Sequence, residues 1–153
     1  ASSLVGSEMC IRDSYETAGR VDFDHLINGN KIPCLIYAVE AEPNKGILRR
    51  GSVVGLKSGK LVLCAKTVTE DNTDDDTDNP TTVNITDGSQ IPYGVLAEDV
   101  DTGATEKRSG QVYITGEFNK DSLIVGEGYT KDEMPALLRG LSIFVTDSFT
   151  QIY

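Results

Sequence analysis

"GQVYITGEF", residues 110–118, alternates along its length. Val112, Ile114 and Phe118 fall on one side with Gly116 between them, and Gln111, Tyr113, Thr115 and Glu117 fall on the other. A period of two is the pleat of a β-strand, and a polar second side predicts a sheet with one face in water. The reading of the fold then turns on how many further runs of this kind the chain holds.

They occur on both sides of it. Upstream, "IPYGVLAEDVDTG", residues 91–103, runs from a strand-like apolar stretch into three acids and a glycine turn. "GSVVGLKSGKLVLCAK", residues 51–66, has two aliphatic runs around Lys57, Ser58, Gly59 and Lys60. A short polar break holding a glycine is a hairpin signature, while Gly51 and Gly55 point to bulges or close backbone approaches. Ile32 to Val39 is almost wholly apolar or small and reads as a strand, with Pro33 tolerated at a first position or an edge. Downstream, Ser122 to Val125 reads as a short strand and "LSIFVT", residues 141–146, as the closing one. One helix lies between them: Asp132 as its cap, Pro135 in the first turn, Leu137 and Leu138 as the buried stripe, and Gly140 as its end. The expectation is a mainly β fold with one short helix near the C-terminus.

The chain has 153 residues, 39% hydrophobic and 25% charged, which suits one domain with a modest core. A formal net charge of -10 repels phosphate backbones over most of the surface, so no direct nucleic-acid ligand is expected. No apolar run approaches the roughly 20 residues that cross a bilayer, and no leader pattern opens the chain. We therefore expect a soluble, unexported protein that meets no membrane. Cys10, Cys34 and Cys64 form no CxxC pair and have only His25 beside them in the composition, so they read as small hydrophobes, with neither a zinc site nor a disulfide framework. His25 reads as a surface or turn residue.

Two segments stand apart. "ASSLVGSEMCIRDS", residues 1–14, lacks periodicity and resembles a translated sequencing adapter, so it is set aside as an artefactual or disordered leader. Thr67 to Gly88 is polar, rich in turn formers and carries the acidic run Glu70 to Asp78, and it reads as a long exposed loop. Counted from Asp71 as an EF-hand, the sixth and twelfth positions hold Asp76 and Thr82 where calcium binding needs Gly and Glu.

For chemistry, nucleophilic catalysis needs an activated Ser or Cys with a base, and neither GxSxG nor a Cys/His pairing is present. "GEGYT", residues 126–130, has no following Lys and no long preceding strand for a phosphate loop. Glu98, Asp99 and Asp101 are the candidate carboxylates, since Asp99 and Asp101 would share a face of an extended chain, as a hydrolase dyad might. No aromatic wall surrounds them to raise a carboxyl pKa, and acids at a strand end also keep it hydrated and discourage edge pairing. We expect no catalytic residue, cofactor or metal. A carboxylate-dependent hydrolase and a carbohydrate-binding module on a particle surface are the alternatives.

The order of "DFDHLINGNKIPCLIYAV", "ILRRGSVVGL", "IPYGVLAEDVDTGA", "VYITGEFNKDSLI" and "PALLRGLSIFV" resembles the lambda-like head decoration family of tailed bacteriophages, over most of Tyr15 to Ser148. The pattern is distributed, and the acidic loop is longer than in compact members. The resemblance implies a β-tulip-like small barrel or sandwich spanning residues 32–153. It implies a homotrimer bound to the major capsid protein on the outer surface of the virion, stabilising the expanded head after assembly in the host cytoplasm. Such a protein needs matching surfaces and no reaction centre.

Residues 15–31 are then an N-terminal arm, with Val21, Phe23, Leu26 and Ile27 as the capsid-contact residues. Isolated apolar residues among Asp and Asn suit a segment that orders by adding a strand to an exposed edge. The other reading, that Phe23, Leu26 and Ile27 cover the domain's own core, stays open on the sequence.

Overall fold

The computed structural model describes residues 25–71, 80–103 and 106–147. Eleven strands and one short α-helix follow in order: β1 (Ile36–Glu40), β2 (Ile47–Leu48), β3 (Val53–Lys57), β4 (Lys60–Leu63), β5 (Thr67–Glu70), β6 (Thr81–Asn84), β7 (Pro92–Leu96), β8 (Val100–Asp101), β9 (Ser109–Tyr113), β10 (Gly116–Asn119), α1 (Met134–Arg139) and β11 (Ile143–Thr146). Among the described residues no helix is long and apolar enough to cross a membrane.

The centre is a five-stranded sheet in the order β1-β9-β7-β3-β4, antiparallel at every contact. The hairpin expected around Lys57–Lys60 joins β3 to β4 through Ser58 and Gly59, whose φ angles of 49° and 81° are the two left-handed positions of a type I′ turn. Gly55 marks the expected irregularity: the β3–β7 register shifts between Val54 and Gly55, and a Cβ there would lie 2.2 Å from the Ser89 carbonyl oxygen. No side chain larger than hydrogen fits.

Both faces of this sheet are buried. Val53, Val95 and Tyr113 point into one cluster with Leu26, Phe118, Leu123, Met134, Leu138 and Ile143. Their chain neighbours Val54, Leu96 and Val112 point the other way into a second cluster with Ala41, Leu48, Leu61 and Val100. The first cluster is roofed by the parallel pair β10–β11 and by α1, and the second by the small antiparallel sheet β2–β8. At one end the central sheet curls until Ala41 bridges Leu61 and the Glu42 N–H donates to the Leu61 carbonyl at 3.0 Å. The sheets do not close into a barrel; the result is mainly β and sandwich-like, with one short helix near the C-terminus.

Several local expectations need correction. "GQVYITGEF" is not one strand with a wet side: the chain bends at Ile114 and Thr115, so β9 and β10 belong to different sheets, and Tyr113 is buried. Thr115 holds the bend, its hydroxyl donating to the Pro33 carbonyl and accepting from the Leu35 N–H. The first strand begins at Ile36, after Pro33 rather than at it. Thr67 to Gly88 is not a loop at its two ends, because Thr67–Glu70 and Thr81–Asn84 pair as a hairpin. Thr and Val are β-branched and suit a pleated ribbon better than a coil. Ser122 to Val125 forms no strand; Lys120–Ser122 makes a 3-10 turn and Ile124 meets Ser52 in a single bridge.

Asp132 does not cap the helix: it lies in a 3-10 turn, Lys131–Glu133, that leads into α1 and is itself capped by Thr130 and Glu133, the Glu133 carboxylate accepting from the Thr130 N–H at 2.8 Å. Asp132 instead pairs with Lys120 at 3.1 Å. Pro135 sits in the first turn as expected, and Gly140 follows the last residue. The buried stripe is Met134 and Leu138, four apart on one face, while Leu137 is 41% exposed.

Residues 1–14, Val21, Phe23 and Asn72 to Asp78 of the acidic run lie outside the described residues. The placement of the stripe has a direct consequence. Leu138→Ala should cost about 2–5 kcal/mol through the cavity it leaves, and Leu137→Ala under about 0.5 kcal/mol, measured by urea denaturation.

Candidate assembly surfaces

The acids after β7 are structural. Asp99 accepts from the Arg50 backbone N–H at 2.7 Å and from Arg49 Nη1 at 3.1 Å. Arg50 itself is seated by the β7 end and the core: Nη1 donates to the Ala97 carbonyl at 2.6 Å and to the Tyr113 hydroxyl at 3.2 Å, and its guanidinium lies 5.7 Å from the Tyr113 ring centroid. The Arg50 N–H first, and the Arg49 guanidinium second, hold the Asp99 carboxyl below its usual range. A group so held is ionised at neutral pH and is a poor proton donor.

Asp101 accepts from the Gly103 N–H at 2.9 Å, capping its own turn, and Glu98 is exposed. Next to them, buried Thr102 donates to the Gly46 carbonyl and accepts from the Lys45 N–H. The three candidate carboxylates thus fasten or edge the β7–β8 turn, and they do not converge as an acid/base pair. Among the described residues no group of three or more His, Cys, Asp or Glu is placed to hold a metal ion.

The remaining reactive side chains are equally occupied. Cys64 is buried, and burial pushes its thiol up to about 12. Half-buried Cys34 is raised too, mainly by desolvation. Exposed His25 takes a left-handed turn with φ of 49°. An open groove of about 440 Å³ lies between the β5–β6 hairpin and the main sheet, lined by Ile47, Val62, Leu63, Val68 and Ile85. At its rim Lys57 pairs with Asp87 at 3.6 Å, and Asp87 is held low by hydrogen bonds from Ser89. The buried Ser89 hydroxyl donates to Asp87 there, and a carboxylate held low by that bond is a weak base.

What the surface does offer is apolar edge. β1 ends the central sheet among the described residues, and Leu35 just before it and Ile36 and Tyr37 on it are about half exposed. The β5–β6 hairpin presents the cross-strand pair Val68 and Val83. Neither surface was singled out from sequence. An uninterrupted apolar run such as Leu35-Ile36-Tyr37 reads as a buried strand, and Pro33 was the one hint of an edge.

Of the arm residues, Leu26 is 1% exposed and packs in the first cluster, and Ile27 is 44% exposed and bridges Phe118. The Asn119 N–H donates to the Leu26 carbonyl, the Asn28 N–H to the Glu117 carbonyl, and the Asn28 amide reaches Thr146 and Asp147. The segment entering the fold is thereby laced across β10 and β11.

Among the described residues the surface presents apolar edges of the kind an assembly piece uses, and the comparison with known families agrees. The family model for bacteriophage lambda head decoration protein D matches residues 36–144, more than two-thirds of the chain. The chain belongs to that family. The match starts at the first residue of β1 and ends within β11, so it spans the central sheet, both roofs and the helix. No curated protein matches the chain. As a head decoration protein it is a structural component of phage particles, located on the capsid, and its clamped acids fit that role.

Because folding lowers the Asp99 pKa, the stability it contributes is complete above the unfolded carboxyl value of about 3.9 and is lost as pH falls through the lower folded value. Asp99→Asn should therefore be less stable than the parent at pH 6, and the difference should close below about pH 3, followed by thermal unfolding across pH.

Proposed function

We propose that this chain binds the outer surface of a tailed-phage capsid as a homotrimer, contacts the major capsid protein, and stabilises the expanded head. It joins the shell in the host cytoplasm during assembly and remains on the virion. The family match across every layer of the fold is the observation that carries this reading. The half-exposed Leu35, Ile36 and Tyr37 support it, because apolar surface of this kind marks a site of association. Three copies presenting weak contacts together bind about 10²- to 10⁴-fold more tightly than one when all can engage, so no deep pocket is required.

The N-terminal arm is the proposed capsid contact. Leu26 anchors it in the domain's own core, Ile27 continues it at the surface, and Val21 and Phe23 carry the apolar side chains upstream. This division of labour separates folding from binding within four residues.

Light scattering should give three times the chain mass, and the protein should sediment with expanded, undecorated heads of its phage. A chain beginning at His25 keeps Leu26 and should unfold within a few degrees of the parent yet lose head binding. Removal through Asn30 takes Leu26 as well and should lower the midpoint by well over 5 °C, since a buried Leu contributes about 2–5 kcal/mol. A strictly monomeric protein indifferent to heads would overturn the proposal.

A further inference from the structure

The segment that leads into β1 carries a chemical instability of its own. Asn28–Gly29 is the one Asn-Gly pair in the chain. An asparagine followed by glycine loses its side-chain amide most readily, because no Cβ on the next residue crowds the backbone nitrogen that attacks it. Asn30 and Asn44 are each followed by lysine and Asn84 by isoleucine, so they have the crowding that Asn28 lacks.

The fold leaves the reacting groups accessible. Among the described residues no acceptor takes the Gly29 N–H, whereas Asn28 before it donates its N–H to the Glu117 carbonyl, and Lys31 and Ile32 after it donate theirs to the Glu117 carboxylate. Both residues of the pair are half-buried and lie outside every strand, so water reaches them. The Asn28 amide is also a fastening. Its Nδ2 donates to the Thr146 hydroxyl at 2.6 Å and to the Asp147 carbonyl at 2.9 Å, which ties the segment beside β10 to the end of β11. A carbonyl only accepts, so a carboxylate at position 28 cannot replace the amide. The same corner is already acidic: a Cβ on Gly29 would lie 2.3 Å from Glu117 Oε2, and Lys120, which pairs with Asp147, is shared with Asp132.

We infer that Asn28 is a site of self-deamidation, and that its product unfastens the entering segment from β11. The Gly29 nitrogen gives its proton to hydroxide and attacks Cγ of Asn28. The Cγ–Nδ2 bond breaks, and the nitrogen leaves as ammonia with its third proton taken from water, which regenerates the hydroxide. Water then opens the cyclic imide at one of its two carbonyls, giving aspartate or isoaspartate, so overall a water is consumed and an ammonia released. Aspartate at position 28 turns a negative oxygen toward the Asp147 carbonyl. Isoaspartate also adds a methylene to the main chain, which displaces Lys31 and Ile32 from Glu117. Leu26, buried in the first cluster, keeps the domain folded while the fastening opens. Only water is required, so the segment loosens with the age of the protein, and faster at higher pH.

Full-length protein held for several days in mildly alkaline buffer tests this. Peptide mapping should find deamidation at Asn28 at least about tenfold above that at Asn30, Asn44 and Asn84, as both aspartate and isoaspartate. Gly29→Ala, whose added methyl group crowds the nitrogen, should keep the Asn28 amide over the same days. The backbone amide of residue 28 should exchange hydrogen at least about tenfold faster in the aged parent and in fresh Asn28→Asp than in the fresh parent. The Leu96 amide, which donates to Ser52 inside the sheet, should be equally slow in all three and reports an intact fold. Deamidation at Asn28 no faster than at Asn30, or unchanged exchange at residue 28 once the amide is gone, overturns the inference. Either result leaves the proposed capsid binding standing, since that is read from chain mass and sedimentation with heads.

Discussion

Val53 and Val54, Val95 and Leu96, and Val112 and Tyr113 are neighbours in the chain that face opposite ways, and every layer of the molecule depends on them. Each pair puts one side chain into the cluster under β10, β11 and α1 and the other into the cluster under β2 and β8. Burying both faces of three adjacent strands ties the roofs to a single sheet, so neither half of the core can loosen alone. Of the loop acids after β7, Asp99 and Asp101 are taken up in hydrogen bonds that hold the turn.

Charge in this protein works locally, as fastening. The Arg49 and Arg50 clamp on Asp99 joins the turn before β3 to the turn after β7, and Arg50 reaches through to Tyr113 at the margin of the first cluster. Lys120 does the same at the other end, bridging Asp132 before the helix and Asp147 after β11 at 3.1 and 2.8 Å, and its two carboxylate partners raise its pKa. These pairs are largely exposed, so each one stabilises little. Their geometric effect is larger than their energetic one, because they set where the strand ends lie. A net charge of -10 repels phosphate backbones over most of the surface.

The surfaces that remain are edges. A head decoration protein acts by fit, and two of its exposed features, the β1 edge and the β5–β6 hairpin, are places where, among the described residues, a backbone ladder stops with apolar side chains beside it. The hairpin lies within the long polar segment Thr67 to Gly88. The segment that enters the fold at Leu26 is core on one residue and surface on the next.

The mainly β class, the Ser58–Gly59 hairpin, the single late helix with Pro135 in its first turn and the family itself were all legible in the sequence. Each rests on interactions between residues a few positions apart: alternation, turn glycines and the first turn of a helix. The sequence alone could not say that Tyr113 is buried, that Leu138 and Met134 rather than Leu137 carry the helix stripe, that Asp99 is clamped by two arginines fifty positions away, or that Leu35 to Tyr37 lies on an open edge. Those outcomes depend on which sheets stack on which faces and where the order of strands ends. Strand order is set by contacts between distant parts of the chain, and a local pattern of apolar residues reads the same whether a partner strand lies beside it or water does.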